Sequence, residues 1–233
     1  MERIDKIFSS AGVFTRTECK KAVKQGRITV NGKVVKSSSE KADEKFDVIL
    51  LDDKPCDLSK FVYVMLNKPE GVISATEDKS QQTVLDLVPE KYYREGLFPC
   101  GRLDKDTLGL VIITNDGDSA HRRLSPKNRT EKEYLFTLAD EIEKGDVEDI
   151  EKGVTLKDGY VTAPCKVSLS DNKNGKITLT EGKYHEIKRI FASKGNKVVF
   201  LKRISFGGIY LDQTLKEGEC RLLTQSEIEL FTK

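Results

Sequence analysis

Between two glycine-marked polar turns the chain carries an apolar run, Leu108 to Ile113. Its aliphatic and β-branched residues predict a buried strand, so a sheet must form around it. Gly101-Arg102-Leu103-Asp104-Lys105-Asp106-Thr107 precedes the run, and Thr114-Asn115-Asp116-Gly117 ends it. Gly101 and Gly109 permit backbone angles or close approaches that a side chain would forbid. Asp104 is thereby placed in a turn at the lip of a rigid strand. A carboxylate there suits catalysis. It equally suits a turn former or a strand-end cap.

Further strands are predicted at 62–68, 132–138, 161–169, 176–180 and 197–204, and helices at 82–88, 117–124, 141–152 and 184–194. The strands do not alternate regularly with helices, which predicts an α+β fold with a mixed, largely antiparallel sheet. The N-terminal stretch reads differently. Ile4, Ile7 and Phe8 have one-face helical spacing, and Gly12 is a stop. Thr15 or Thr17 caps a second helix through Val23. Residues 27–35 then read as a hairpin turning at Asn31-Gly32. The acidic, Pro-containing segment 52–60 reads as a linker, giving a small domain over 1–58 and a larger one over 59–233.

Composition narrows the chemistry. Charged residues make up 33% of the 233-residue chain, yet its net charge is only +2. No segment approaches the roughly 20 apolar residues of a membrane span. The N-terminus lacks the apolar core of a secretory signal, so the cytoplasm is expected. Five scattered cysteines without a Cys-x-x-Cys pair argue against a disulfide framework or zinc site. Two distant histidines exclude a His-rich metal centre, and no phosphate-binding Gly-x-x-x-x-Gly-Lys loop is present.

Cationic charge is concentrated. Residues 1–36 carry nine Lys/Arg and three acids, whereas residues 37–60 carry four and seven. On the second helix Lys20, Lys21 and Lys24 are neighbours by the three-and-four rule. With Arg16 and Arg27 they form either a phosphate-matched surface or a plain solvated face. His121 to Thr130 holds four Lys/Arg and no acid, and leads to Lys132-Glu133-Tyr134. Cations beside an aromatic ring suit a nucleotide. Tyr134 also reads as an ordinary half-buried strand residue. Residues 181–203 carry seven Lys/Arg and two acids, an RNA surface or a set of helix ion pairs such as Glu186 with Lys183 or Arg189.

Taken in order, Gly101-Arg102-Leu103-Asp104, Thr107, Gly109-Leu110 and Thr114-Asn115-Asp116-Gly117 closely resemble the main motif of the RsuA-type pseudouridine synthases. Arg3-Ile-Asp-Lys, Thr15-Arg16 and Gly26-Arg-Ile-Thr-Val-Asn-Gly-Lys resemble an S4 domain, a small RNA-binding module. This second resemblance covers about residues 1–50. Together they imply isomerisation of one uridine in 16S ribosomal RNA, or in a small-subunit assembly intermediate.

The resemblance implies Asp104 as the catalytic residue and Tyr134, in its Lys-x-Tyr motif, as the ring lying against the base. It also implies a basic partner for Asp104. That position holds Lys188, where the wider superfamily commonly has Arg. A cation there keeps a carboxylate ionised inside a closed pocket. His185 matches the Tyr-His of small-subunit members and is expected as a substrate or structural contact. Arg102, Arg122, Arg123, Lys132, Lys183 and Arg189 are expected to hold the nucleotide and its phosphates. Arg16, Lys20, Lys21, Lys24 and Arg27 would contact RNA from the S4-like block. No cofactor, nucleotide or metal is expected, and the protein is expected to be a monomer. The same chemistry on 23S RNA and a non-catalytic RNA-binding assembly factor are the alternatives. Whether Asp104 attacks C1′, attacks the base or removes the 2′ proton stays open.

Overall fold

The computed structural model describes residues 1–44, 46–56 and 58–233. Residue 57, inside the expected linker, is outside that set. The chain forms two compact units. One comprises Met1–Val62 with Arg94–Gly96, the other Tyr63–Tyr93 with Leu97–Lys233.

The first unit contains β1 (Glu2–Arg3), α1 (Ile4–Ser10), α2 (Arg16–Lys24), β2 (Ile28–Val30), β3 (Lys33–Val34), β4 (Lys41–Ala42), β5 (Ile49–Leu51) and β6 (Lys54–Pro55). Helix α1 buries Ile4, Ile7 and Phe8 against Cys19, Ala22 and Val23 of α2. Thr15 starts α2 through a capping box, with Glu18 returning a carboxylate to the Thr15 amide at 2.7 Å. Asn31 and Gly32 both adopt positive φ between β2 and β3, as the hairpin expectation requires. The linker expectation for 52–60 fails at its start. Asp52 and Asp53 form a second hairpin turn, and Lys54–Pro55 pairs with β5. Aspartate tolerates the left-handed region better than most residues, so an acidic pair can turn a strand.

The second unit contains β7 (Tyr63–Lys68), β8 (Phe98–Pro99), β9 (Leu108–Thr114), α3 (Gly117–Leu124), β10 (Lys132–Leu138), α4 (Lys144–Lys152), β11 (Lys166–Leu169), β12 (Asn174–Leu179), α5 (Glu186–Ser193), β13 (Val198–Phe206), β14 (Ile209–Tyr210), β15 (Cys220–Leu222) and α6 (Gln225–Thr232). Its sheet runs β11-β12-β10-β13-β9-β7-β15, with β8 on β9 and β14 on β13. Among the strand pairs of the described residues only β13–β9 is parallel, Lys202 opposite Leu108 and Arg203 opposite Gly109. Every residue of β7 and β9 is buried, whereas β10 alternates. The architecture is therefore α+β with a mixed, largely antiparallel sheet, as expected.

Three element expectations change. Residues 82–88 are not a helix. Thr83 and Asp86 exchange the bonds of a helix start, the Asp86 carboxylate accepting from the Thr83 amide at 2.8 Å, but Pro89 halts continuation. The 161–169 strand shrinks to Lys166–Leu169, because Pro164 has no amide to pair. Helix α5 begins only at Glu186, since His185 takes a left-handed conformation with φ 48°.

Candidate active site

The loop between β8 and β9 holds Asp104, and a buried lysine braces it. Lys68, fully buried at the end of β7, donates to the carbonyls of Pro69, Lys105 and Thr107 at 3.0, 3.2 and 2.8 Å. Burial pulls the Lys68 ammonium down to about 8. Ser74 clamps Leu103 from both sides, accepting from its amide at 3.0 Å and donating to its carbonyl at 3.1 Å. The Thr107 amide closes the turn onto the Asp104 carbonyl at 3.0 Å. Gly101 and Gly109 have φ of 85° and 99°. Gly109 also lacks a Cβ where one would sit 2.2 Å from the Arg203 carbonyl oxygen, and this permits the parallel β9–β13 contact. The tail of the same motif is structural. Asp116 caps α3 through the Ser119 amide and accepts the Tyr63 hydroxyl at 2.7 Å.

Helix α5 brings the cation. Lys188 Nζ donates to Asp104 Oδ2 at 3.2 Å and to Asp106 Oδ1 at 2.5 Å. Burial works against the Lys188 charge, but the two carboxylates outweigh it and raise its pKa. The Lys188 bond in turn holds Asp106 below the usual carboxylate range. One ammonium thus serves two carboxylates, where the sequence suggests one. His185 Nε2 lies 3.5 Å from Asp104 Oδ1, its ring stacked on the exposed Tyr184 at 3.9 Å.

Asp104, Tyr134 and Lys188 line one cavity of about 380 Å³. Tyr134, only 8% exposed, faces it from β10. Arg102, Arg123, Lys132, Lys183 and His185 line it too. Arg122 and Arg189 do not. Arg122 donates to Ser119 Oγ and the Thr232 carbonyl at 2.8 and 3.0 Å, and Arg189 pairs with Asp158 at 2.5 Å. The sequence places both on the nucleotide, but neighbouring acceptors hold them elsewhere.

A second group of charges lies in the cavity wall. Glu186 is buried, accepts from the Lys183 amide at 2.7 Å, and pairs with neither cation named for it from sequence. Burial, with the Glu181 carboxyl beside it, pushes Glu186 up to about 7. Burial opposes the charge on Glu181 as well, but bonds from Glu186, the Tyr160 hydroxyl and the Ala163 amide hold it low. Lys132 is lowered by burial and by the nearby Arg203 charge.

Sequence reasoning misses Lys68, Asp106, Glu186 and Arg203 as site residues. A lysine closing a strand that opens on the apolar run Val62 to Leu66 is a readable signal for Lys68. Which of Lys202 and Arg203 turns inward depends on strand register, and that is not readable. In the first unit Arg16, Lys20, Lys21 and Lys24 are exposed on α2. Arg27 is instead gripped by both oxygens of Asp52, at 2.7 and 2.6 Å.

Comparison with known proteins matches residues 62–193 to the RNA pseudouridylate synthase family and residues 2–49 to the S4 domain. An uncharacterised RNA pseudouridine synthase of Bacillus subtilis, YtzG, is 43% identical over 99% of this chain and 98% of its own. Ribosomal small subunit pseudouridine synthase A of Haemophilus influenzae is 40% identical over 99% of this chain and all of its own. A crystal structure described as pseudouridylate synthase superposes with a TM-score of 0.70 at 39% identity, covering 99% of this chain and 100% of that one.

Proposed function

The chain belongs to the RNA pseudouridylate synthase family, and from that premise we propose that it isomerises one uridine of 16S ribosomal RNA, with the cleft around Asp104 as its active site. The meeting of Asp104, Tyr134 and Lys188 on one cavity carries this reading. The small-subunit target is supported by the relative of Haemophilus influenzae, which aligns from end to end. We propose as well that the protein acts as a monomer. A ribosomal RNA substrate supports work in the cytoplasm. No helix among the described residues is long and apolar enough to cross a membrane.

The target uridine leaves its stack so that its glycosidic bond reaches the carboxylate. Asp104 acts on the sugar or the base, and the Lys188 ammonium, 3.2 Å from its Oδ2, holds the carboxylate in place. Tyr134 packs on the freed ring. The N1–C1′ bond breaks, the ring turns, a C5–C1′ bond forms, and the C5 proton is lost as N1 gains one. Reactant and product are isomers, so no redox partner or energy source enters. Arg102, Lys132, Lys183 and Arg123 surround the cavity with positive charge suited to the nucleotide's phosphates. Asp104→Asn removes only the ionised oxygen. It is expected to abolish pseudouridine formation on 16S transcripts, read by carbodiimide-dependent primer stops, while RNA affinity persists. Product formation by the purified variant would overturn the assignment.

A further inference from the structure

Arg203 is a buried cation whose charge the fold leaves unpaired. It is 2% exposed, yet it lines the same cavity as Asp104 and Tyr134. Its Nε donates to the Leu110 carbonyl at 2.8 Å, and its guanidinium lies 5.1 Å from the Phe206 ring centre. Its Nη2 is buried and has no hydrogen-bond partner. Among the described residues no carboxylate lies within ion-pairing distance. Buried donors in folded proteins are almost always satisfied, and a buried lone charge is costlier still. An orphaned guanidinium nitrogen in a cavity wall therefore calls for an acceptor that arrives with the ligand.

Register says where that acceptor lies. Arg203 is the cross-strand partner of Tyr134 on one side and of Gly109 on the other. Paired residues project from the same face, so Arg203 stands beside the tyrosine, close to where the Asp104 loop enters the sheet.

We propose that Arg203 Nη2 donates a hydrogen bond to a ring carbonyl oxygen of the extruded uracil. This rests on the reading of the cleft as the uridine site, and it adds the residue that holds the base while it turns. Each route open to Asp104 puts negative charge on the ring. Breaking N1–C1′, by displacement or after loss of the 2′ proton, leaves the bonding electron pair on uracil, spread over N1 and the carbonyl oxygens. Addition of the carboxylate to the base also moves a pair onto a carbonyl oxygen. A fixed cationic donor in the cavity wall stabilises that charge more than it stabilises neutral uridine. Rotation about the axis through N3 and C6 exchanges N1 with C5 and O2 with O4. A donor aimed at one carbonyl before the turn therefore meets the other carbonyl after it.

The test uses the full-length protein and a 16S transcript carrying uridine, 2-thiouridine or 4-thiouridine at the mapped target position. Sulfur is a poor hydrogen-bond acceptor. Wild-type enzyme should lose single-turnover rate on at least one thio substrate, and no loss on either would overturn the proposal. Arg203→Met should lower the rate on uridine by roughly 100- to 1000-fold, the cost of removing one such donor. Its RNA affinity should stay within a few-fold, and its thio penalty should vanish. A thio penalty equal to that of wild type would assign Arg203 to packing alone. Should Arg203→Met fail to fold, Arg203→Lys and the wild-type thio series decide the matter. Inactive Asp104→Asn alongside fully active Arg203→Met would sink this inference only. Active Asp104→Asn would sink the reading beneath it.

Discussion

Lys188 sits between two carboxylates, and their exposure separates their roles. Asp106 is 60% exposed at its side chain against 29% for Asp104, so water already serves Asp106. Lys188→Met should therefore lower single-turnover rate by about 10- to 100-fold, the worth of one charged hydrogen bond. Asp106→Asn should leave the rate within a few-fold, because it releases the ammonium to Asp104. A greater loss in Asp106→Asn than in Lys188→Met would reverse the two assignments. Glu186 offers a second measurement. Its folded pKa of about 7 lies above the ordinary 4.5, so between those values the folded state holds a proton that the unfolded state has lost. Its contribution to stability is complete below about 4.5 and disappears as pH rises through about 7. Glu186→Gln cannot ionise, so its melting temperature should gain on wild type between pH 5 and pH 8. A constant difference across that range would show that Glu186 does not titrate there.

At the scale of elements, β9 forms where its apolar run places it, and its glycine shows what holds it there. Gly109→Ala would place a Cβ against the Arg203 backbone at a φ of 99°. The loss should be on the order of 3 kcal/mol, read as a lower urea midpoint with unchanged slope. Near-wild-type stability would mean that β13 can shift away. Strand β9 is legible because its apolar run is bounded by turns, and β10 because its alternate residues Tyr134, Phe136 and Leu138 are apolar and buried. The 82–88 segment reads as a helix because its start signal is real and only Pro89 cancels it. Helix α6 escapes the sequence reading although Thr224 and Glu227 spell a capping box, both partners of which form. Asp104 and Lys188 lie far apart in sequence, and the resemblance, not the spacing, joins them. Arg203 has no such help. Its inward direction exists only once β13 has paired with β9 and β10.

At the scale of the whole molecule, a net charge of +2 conceals one unit with a strongly cationic helix. Arg16, Lys20, Lys21 and Lys24 of α2 are exposed, and the capping box at Thr15 holds the helix that carries them. The sequence groups Arg27 with them, but the Asp52 carboxylate already satisfies its guanidinium. Bound phosphates supply affinity by releasing counterions, so they appear in the salt dependence of binding. Replacing Lys20, Lys21 and Lys24 together by Gln should weaken binding to 16S transcripts and flatten the plot of log affinity against log salt. The slope should fall by about 0.7 to 0.9 for each phosphate no longer neutralised. Arg27→Gln should change that slope little and lower the melting temperature instead, because it leaves Asp52 without its partner. The effect of the triple variant should fall on Kd and not on single-turnover rate at saturating RNA, since none of the three lines the Asp104 cavity. An unchanged salt slope in the triple variant would mean that α2 presents an ordinary solvated face.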